Sequence, residues 1–552
     1  MKRLIEICVS GALMLTLGCK GLDLGPKDQV SDASFWKTPD QFRLAANDFY
    51  WRLVGAHNYN ELNSDIATGS GNSVMSSLSD GSFLPQANDT VWDNSYAAIR
   101  ATNYLLQKAQ ESGLGSEIDR WVGEALFFRA YNYWNLVKRY GGVPLITKVL
   151  DVTSPEVYAA RSTQQEVIDF IIADLDNAVP KLLKQSQLSS AEMGRVTQGA
   201  ALALKARASL YQGTWRKYHA EGSPTAMLAD AIAAAEQLIA SNEYHLYTDH
   251  GTDSSYKFLF ILQGDDSKEV ILAKRYYAGR TTHNWTRELW FNYMIPTKKL
   301  ADMYLCKDGL PITISPQFLG YDSLETTEFQ NRDPRMAQTF IVPGSGVHQE
   351  NGFNPVIPGF SGSNATRTGY MLRKFLDETD EAAHFAGQYD FKEFRCGEVL
   401  LILAEALFER DGTISDADLN RTIKPLRDRV GMPALTNGLV STNGLDMLTE
   451  IRRERTVELA FEGFRRDDLR RWKTAETEMP QALRGVKFVG TEYRQRDSLL
   501  VIGTDIQVDA GGFVVSEPAA SRQFVVPKHY LNPIPLQQIQ LSKGTLTQNP
   551  GW

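Results

Sequence analysis

Apolar residues recur at helical spacing along much of the chain. The clearest run is 117–140, EIDRWVGEALFFRAYNYWNLVKRY. There Ile118, Trp121, Val122, Ala125, Phe128, Tyr133, Leu136, Val137 and Tyr140 form one broad stripe. Gly141-Gly142 follows, as helix C-termini favour. Similar amphipathic stretches at 39–55, 94–110, 163–183, 197–213, 226–241, 391–410, 417–430 and 446–465 predict further helices. Small residues recur on their faces, Ala203, Ala206 and Ala208 in one and Ala231, Ala234 and Ala235 in another. Such faces let helices approach closely, so the expected architecture is mostly α, built of stacked TPR-like helical hairpins. The spacing does not establish a regular solenoid.

The pattern changes between 245 and 390, where Gly, Pro, Thr, Asn and aromatic residues dominate, as in GRTTHNWTRELWFNYMIP. A second loop-rich stretch runs from Asn60 to Trp92. Long irregular segments inside a compact chain are commonly functional. The N-terminus adds to this division. Lys2 and Arg3 precede a largely apolar stretch from Leu4 to Leu17, broken by Glu6, and then Gly18 and Cys19. This is too short to span a bilayer but suits a secretory signal. Thr16-Leu17-Gly18-Cys19 resembles a bacterial lipobox, so Cys19 is the expected lipidation site. The competing reading is an uncleaved helix with a buried Cys. Four segments follow: 1–18 a signal peptide, 19–38 a lipidated, extended lead-in, 39–245 a helical region, and 246–552 a loop-rich insertion with further helices. No later stretch stays apolar for the roughly 18 residues a span needs, so the body is expected to be tethered to the membrane by its lipid.

Charge and cysteine content narrow the chemistry. A formal net charge of −8 and a pI near 5.7 argue against a nucleic-acid partner, which needs a concentrated basic surface. Arg452, Arg453 and Arg455 interleave with Glu450, Glu454 and Glu458, the pattern of an ion-paired helix. Glu450–Arg453 and Glu462–Arg466 stand about one turn apart, and Glu398 and Glu405 share a face two turns apart; all are expected to brace structure. Of four cysteines, Cys8 leaves with the signal and Cys19 is acylated. Cys306 and Cys396 remain, and the sequence leaves open whether they pair. No His-Glu-x-x-His, Gly-x-Ser-x-Gly or P-loop occurs, and the eight histidines are scattered singly. No metal, cofactor or catalytic residue is therefore expected. Adjacent acids such as Asp265-Asp266 and Asp377-Glu378 do not make the spaced pair that glycoside hydrolysis needs.

A binding role suits the composition better, because sugar rings stack on Trp and Tyr while amides and carboxylates take their hydroxyls. Candidate ligand residues in the first irregular stretch and just after it are Asp65, Asn72, Trp92 and Asn94. In the second they are Trp285, Trp290 and Tyr293. Trp285, an aromatic inside the polar run HNWTRELWF, leads, with Asp65 and Asn94 as polar partners on an open surface. Buried packing competes with ligand contact for each aromatic, most strongly for Trp92.

Several segments in order along the mature chain resemble the SusD/RagB family of outer-membrane nutrient-uptake lipoproteins. They are SDASFWKTPDQF (31–42), VWDNSYAAIRATNYLL (91–106), EALFFRAYNYWNLVKRYGGVPLI (124–146), KARASLYQG (205–213), PTKKLADMYLCKDG (296–309) and NRDPRM (331–336). FRCGEVLLILAEAL (394–407), IRRERTVELAFEGFRRDDLRRW (451–472), LNPIPLQQI (531–539) and TQNPGW (547–552) continue the series. The resemblance implies TPR-like helix pairs in the N-terminal half and irregular insertions with further helices in the C-terminal half. It also implies a non-catalytic, lipid-anchored surface protein that captures glycan as a lid over a SusC-like TonB-dependent transporter. Peptide capture is the alternative within that class. A helical interaction scaffold and a glycan-degrading enzyme are the alternatives outside it.

Overall fold

The computed structural model describes residues 32, 34–56, 59–69, 77–346, 359–361, 365–378 and 386–552. Residues 1–18, expected to be a signal peptide, and Cys19 and Asn72 lie outside the described residues.

Helices carry the N-terminal part. α1 (Pro39–Asn47) starts on a proline after Thr38 and tightens into a 3-10 turn over Asp48–Arg52, so the single helix expected for 39–55 is shorter. α2 (Thr90–Ser112) is capped by Asp89, whose carboxylate accepts the Val91 N–H, and ends at Gly113 with φ +72°. α3 (Asp119–Tyr140) follows, then α4 (Gln164–Ala178), opened by a Thr163/Glu166 capping box. α5 (Gln198–His219) and α6 (Thr225–Ala240) complete this series. From α2 onward each packs on the next in sequence, which is the stacked-hairpin arrangement that the small residues predict. Gly213 of α5 shows how close the approach is: a Cβ there would lie 2.9 Å from the Leu228 side chain of α6.

The next partner in the stack is distant in sequence. α6 packs on the helix Cys396–Asp411, with residues 241–395 between them. That intervening segment holds α7 (Trp285–Trp290) and other short helices, and the Cys396–Asp411 helix is numbered α8. α9 (Met447–Glu458) and α10 (Arg465–Arg471) lie against α8 and α5 respectively. Strands are few, short and antiparallel: β1 (Ala67–Thr68) with β3 (Ile295–Pro296), β2 (Val270–Lys274) with β4 (Phe391–Arg395), and β5 (Leu483–Lys487) with β6 (Phe513–Glu517).

Three helical expectations change. Residues 391–395 are strand, not the first turn of a helix, because Phe391 and Arg395 pair with Lys274 and Val270 of a remote strand. The helix expected over 446–465 stops at Glu458; Phe461 (φ +66°) and Gly463 (φ +91°) turn the chain before α10 restarts it. The stretch 417–430 divides at Thr422 into Asp416–Arg421 and Ile423–Arg429.

Two apolar cores result. One lies among α1–α6 and is continued by α8, α9 and α10; the other gathers Trp285, Trp290, Tyr304, Phe340, Tyr370 and Phe461. Residues 451–472 run between them. There, buried Glu458 accepts hydrogen bonds from Arg429 (2.6 Å), Arg395 (2.8 Å) and Arg335 (3.0 Å). Burial alone would raise its pKa, but Arg429, Arg395 and Arg335 overcome this and hold it well below the usual carboxylate range. Glu450 pairs with Arg453 as expected, at 3.1 Å. Glu462 does not pair with Arg466. The turn at 459–464 takes it out of helical register, and it meets Arg395 (2.7 Å) and Lys374 (2.8 Å) instead. Glu398 binds Arg207 and Glu405 binds Arg471, so both acids brace neighbouring helices. Cys306 and Cys396 are separate, buried free thiols; burial pushes the Cys396 thiol up to about 12.

The C-terminal tail closes onto α3. Asn532 donates its N–H to the Arg139 carbonyl (2.8 Å), and the Asn549 amide donates to the Tyr140 carbonyl (3.0 Å). The Trp552 indole N–H lies 2.8 Å from the Lys528 carbonyl and 2.9 Å from that of Leu531.

Candidate functional site

The structure separates the candidate ligand residues. Trp285 and Trp290 are only 1% and 2% exposed, both in the second core, and Tyr293 beside them is half-buried. The open sugar surface expected around Trp285 is therefore corrected: its polar neighbours His283 and Thr286 are buried too. His283 Nε2 sits 3.1 Å from the Tyr389 carbonyl. Trp92 lies in the first core, edge-on to Tyr140 at 5.2 Å. Asp65 is buried and taken by both arms of Arg465, at 2.8 Å each. The surrounding apolar and ionic contacts make these four residues structural. Among the described candidates, Asn94 alone is exposed and lines a cavity.

That cavity, of about 740 Å³, lies between the helical stack and the 451–472 segment. It falls within the roughly 300–1,000 Å³ of ordinary ligand sites. Its mouth is formed by the 3-10 turns Asp48–Arg52 and Tyr59–Asn63 and the start of α2, which present Trp51, Arg52, Asn60, Thr90 and Asn94. Its wall is the C-terminal half of α3, with Asn132, Trp134, Asn135, Lys138 and Arg139. Arg207 and Tyr211 of α5 and residues 462–471 close the far side.

Trp51 is the one largely exposed tryptophan of the ten, at 71%. One face of its ring meets the Lys274 ammonium, 4.8 Å from the centroid, and that ammonium also donates to the Trp51 carbonyl at 2.6 Å. The indole is thus fixed in place while remaining open to solvent. Arg52 ties this turn to α2 by donating to the Asn94 carbonyl at 3.1 Å. The second turn is tied to the far wall by Glu61, whose Oε1 accepts the N–H groups of Gly463 (2.8 Å) and Phe464 (3.0 Å). Burial, opposed by those N–H groups, pushes the Glu61 carboxyl up to about 7. An exposed aromatic ring lining the same cavity as Asn94 and Asn135 offers a stacking face together with amide donors and acceptors, which fits a polyhydroxylated ligand, while Asn60 is held by the Gly463 carbonyl at 2.6 Å.

Sequence reasoning passed over Trp51, Asn60 and Asn135. The signal for Trp51 was available: in the amphipathic stretch 39–55, Phe42, Ala46, Phe49 and Leu53 share one face, and Trp51 falls opposite them. Among the described residues no group of His, Cys, Asp or Glu is placed to hold a metal ion, and no helix is long and apolar enough to cross a membrane.

Comparison with known proteins covers both halves of the chain. Residues 259–552 match the model of the SusD family, and residues 46–210 match a second model described as "Starch-binding associating with outer membrane". A SusD-like protein of Formosa agariphila is 25% identical over 515 residues, covering 86% of this chain and 93% of that one. The fold is similar to a SusD-like carbohydrate-binding protein of Bacteroides fragilis, with TM-score 0.76 and 24% identity over 92% of this chain and 99% of that one. It is also similar to a laminarin-binding SusD-like protein, with TM-score 0.60 and 20% identity over 93% of this chain and 99% of that one.

Proposed function

The chain belongs to the SusD family, and from that premise we propose that it is a non-catalytic glycan-binding lipoprotein of the outer membrane. It captures oligosaccharide or polysaccharide at the mouth of the cavity and passes it to a SusC-like TonB-dependent transporter. Cys19 carries the lipid that tethers it at the cell surface. The observation that carries the reading is Trp51, the largely exposed tryptophan, fixed by Lys274 beside Asn94 and Asn60 at the cavity mouth. Two proteins of similar fold, one carbohydrate-binding and one laminarin-binding, support a saccharide as the ligand class.

A saccharide and peptide binding screen on the protein, followed by Trp51→Ala, tests this. At least one saccharide is expected to bind and to weaken on loss of the indole. Binding of peptides with no saccharide would replace the proposal by peptide capture. For the tether, labelled fatty acid is expected on the wild type and absent from Cys19→Ala, which should leave the membrane fraction; an unlabelled wild type would remove the lipid anchor.

A further inference from the structure

The cations around the cavity are unequally supplied with counter-charge. Arg207 is held by Glu398 at 2.7 Å, Arg455 by Asp468 at 2.9 Å, Arg471 by Glu405 at 2.5 Å, Lys392 by Asp265 at 2.5 Å and Arg139 by Asp89 at 2.8 Å. Lys138 and Arg470 share one carboxylate, Asp467, at 3.8 and 3.6 Å. Arg466 is 8% exposed, and its guanidinium donates at 2.8 Å to the neutral amide oxygen of Asn532. No ion pair joins it to a carboxylate among the described residues. Burial and then the neighbouring Arg470 push its pKa down to about 9. Arginine keeps its proton in proteins, so this is a demand for negative charge that Asp467 only partly meets and that no ion pair among the described residues satisfies.

The same imbalance holds for hydrogen bonds. Trp134 Nε1, Tyr211 Oη, Arg52 Nε, Arg455 Nη1 and Arg470 Nε belong to residues lining the cavity, and each is buried without a hydrogen-bond partner among the described residues. Four are donors only and the Tyr211 hydroxyl can donate as well as accept, and leaving buried donors unmatched is costly. The lining carboxylates Glu393, Glu462, Asp467 and Asp468 already face cations of the chain. A cavity of similar volume between α2, α3 and α4 shows the contrast: its buried Arg129 is met by both oxygens of Asp174, at 2.7 Å each.

We infer that the cavity beside Arg466 binds an oxyanion, the carboxylate or sulfate ester of an acidic saccharide. The saccharide as source rests on the glycan-capture reading; the oxyanion rests on the cavity alone. Arg466 supplies the buried charge, with Lys138 and Arg470 adding field from the same wall, while Trp51 and the amides at the mouth take the neutral part of the ligand.

Calorimetric titration of the whole protein tests this with four probes: oligogalacturonate, a neutral oligogalactoside of equal length, a chondroitin sulfate oligosaccharide, and sodium sulfate. One of the two acidic saccharides is expected to bind at least about 10-fold more tightly than the neutral one at low salt, the effect of one charge-assisted contact. Added salt should shrink that ratio. Arg466→Gln should bring the ratio close to one, and Lys138→Gln, on a more exposed side chain, should lower it several-fold even if Arg466→Gln fails to fold. Equal binding of neutral and acidic saccharides by the wild type would overturn the proposal, as would a ratio indifferent to both substitutions. If sodium sulfate binds in an Arg466-dependent way while no saccharide does, the oxyanion site stands and glycan capture falls.

Discussion

Trp51 and Trp285 carry the same ring into opposite surroundings, and substitution to alanine separates them. A sugar stacked on Trp51 contributes roughly 1–2 kcal/mol, so Trp51→Ala should weaken glycan binding about 5–30-fold and leave the melting temperature nearly unchanged. Trp285→Ala should remove about 3–5 kcal/mol of stability by emptying a core site and lower the melting temperature clearly. Calorimetry and thermal melting on the two variants check both outcomes. The difference was not legible around Trp285, because HNWTRELWF reads as an aromatic in a polar run only until its partners are known. His283 meets Tyr389, and Thr286 lies beside Phe375 and Tyr389, contacts about a hundred residues along the chain. Asp65 misleads in the same way, since its partner Arg465 lies 400 residues on. Local polarity marks a surface only where the polar groups are not met from elsewhere.

Elements bounded by local chemistry were legible; elements bounded by remote contacts were not. α3 ends where Gly141 follows an apolar stripe, and α4 begins on its capping box. β4 exists because β2 pairs with it, and nothing in FKEFR states that by itself. The acids of α8 show both cases. Glu398 and Glu405 share a face and read as bracing residues, but Arg207 and Arg471 as their partners are not visible in spacing. Burial would raise the Glu405 carboxyl, yet Arg471, then Arg455 and Arg452, pull it down to about 2. Its folded pKa is thus below its unfolded one, so its contribution is complete above about pH 4.5 and is lost as the pH falls toward 2. Glu405→Gln leaves Arg471 and the Trp472 indole N–H short of a buried acceptor charge, and should cost about 3–5 kcal/mol at pH 7. Urea denaturation of wild type and variant at pH 7, 4.5 and 3 should show that gap constant between the first two and narrower at the third.

On the scale of the molecule, the helical stack and its family resemblance were legible, whereas the cavity was not. Its walls include residues from 51–54, 60–63, 90–95, 132–139, 207–211, 391–393 and 455–471, so it exists only after the chain has folded back several times. The tail completes that closure by holding the end of α3 through Asn532 and Asn549. Truncation after residue 500 is therefore expected to lower the melting temperature of the whole protein and abolish ligand binding; a stable truncation that still binds would show the tail to be dispensable. The pairing of α6 with α8 has a consequence in time. Synthesis delivers α6 long before α8, the sequence-distant helix that packs on it. A nascent chain ending near residue 245 carries an adhesive helical edge, and contacts this remote in sequence form slowly. Chains released before residue 411 are therefore expected to aggregate more readily than the full-length protein, which light scattering of the two would check.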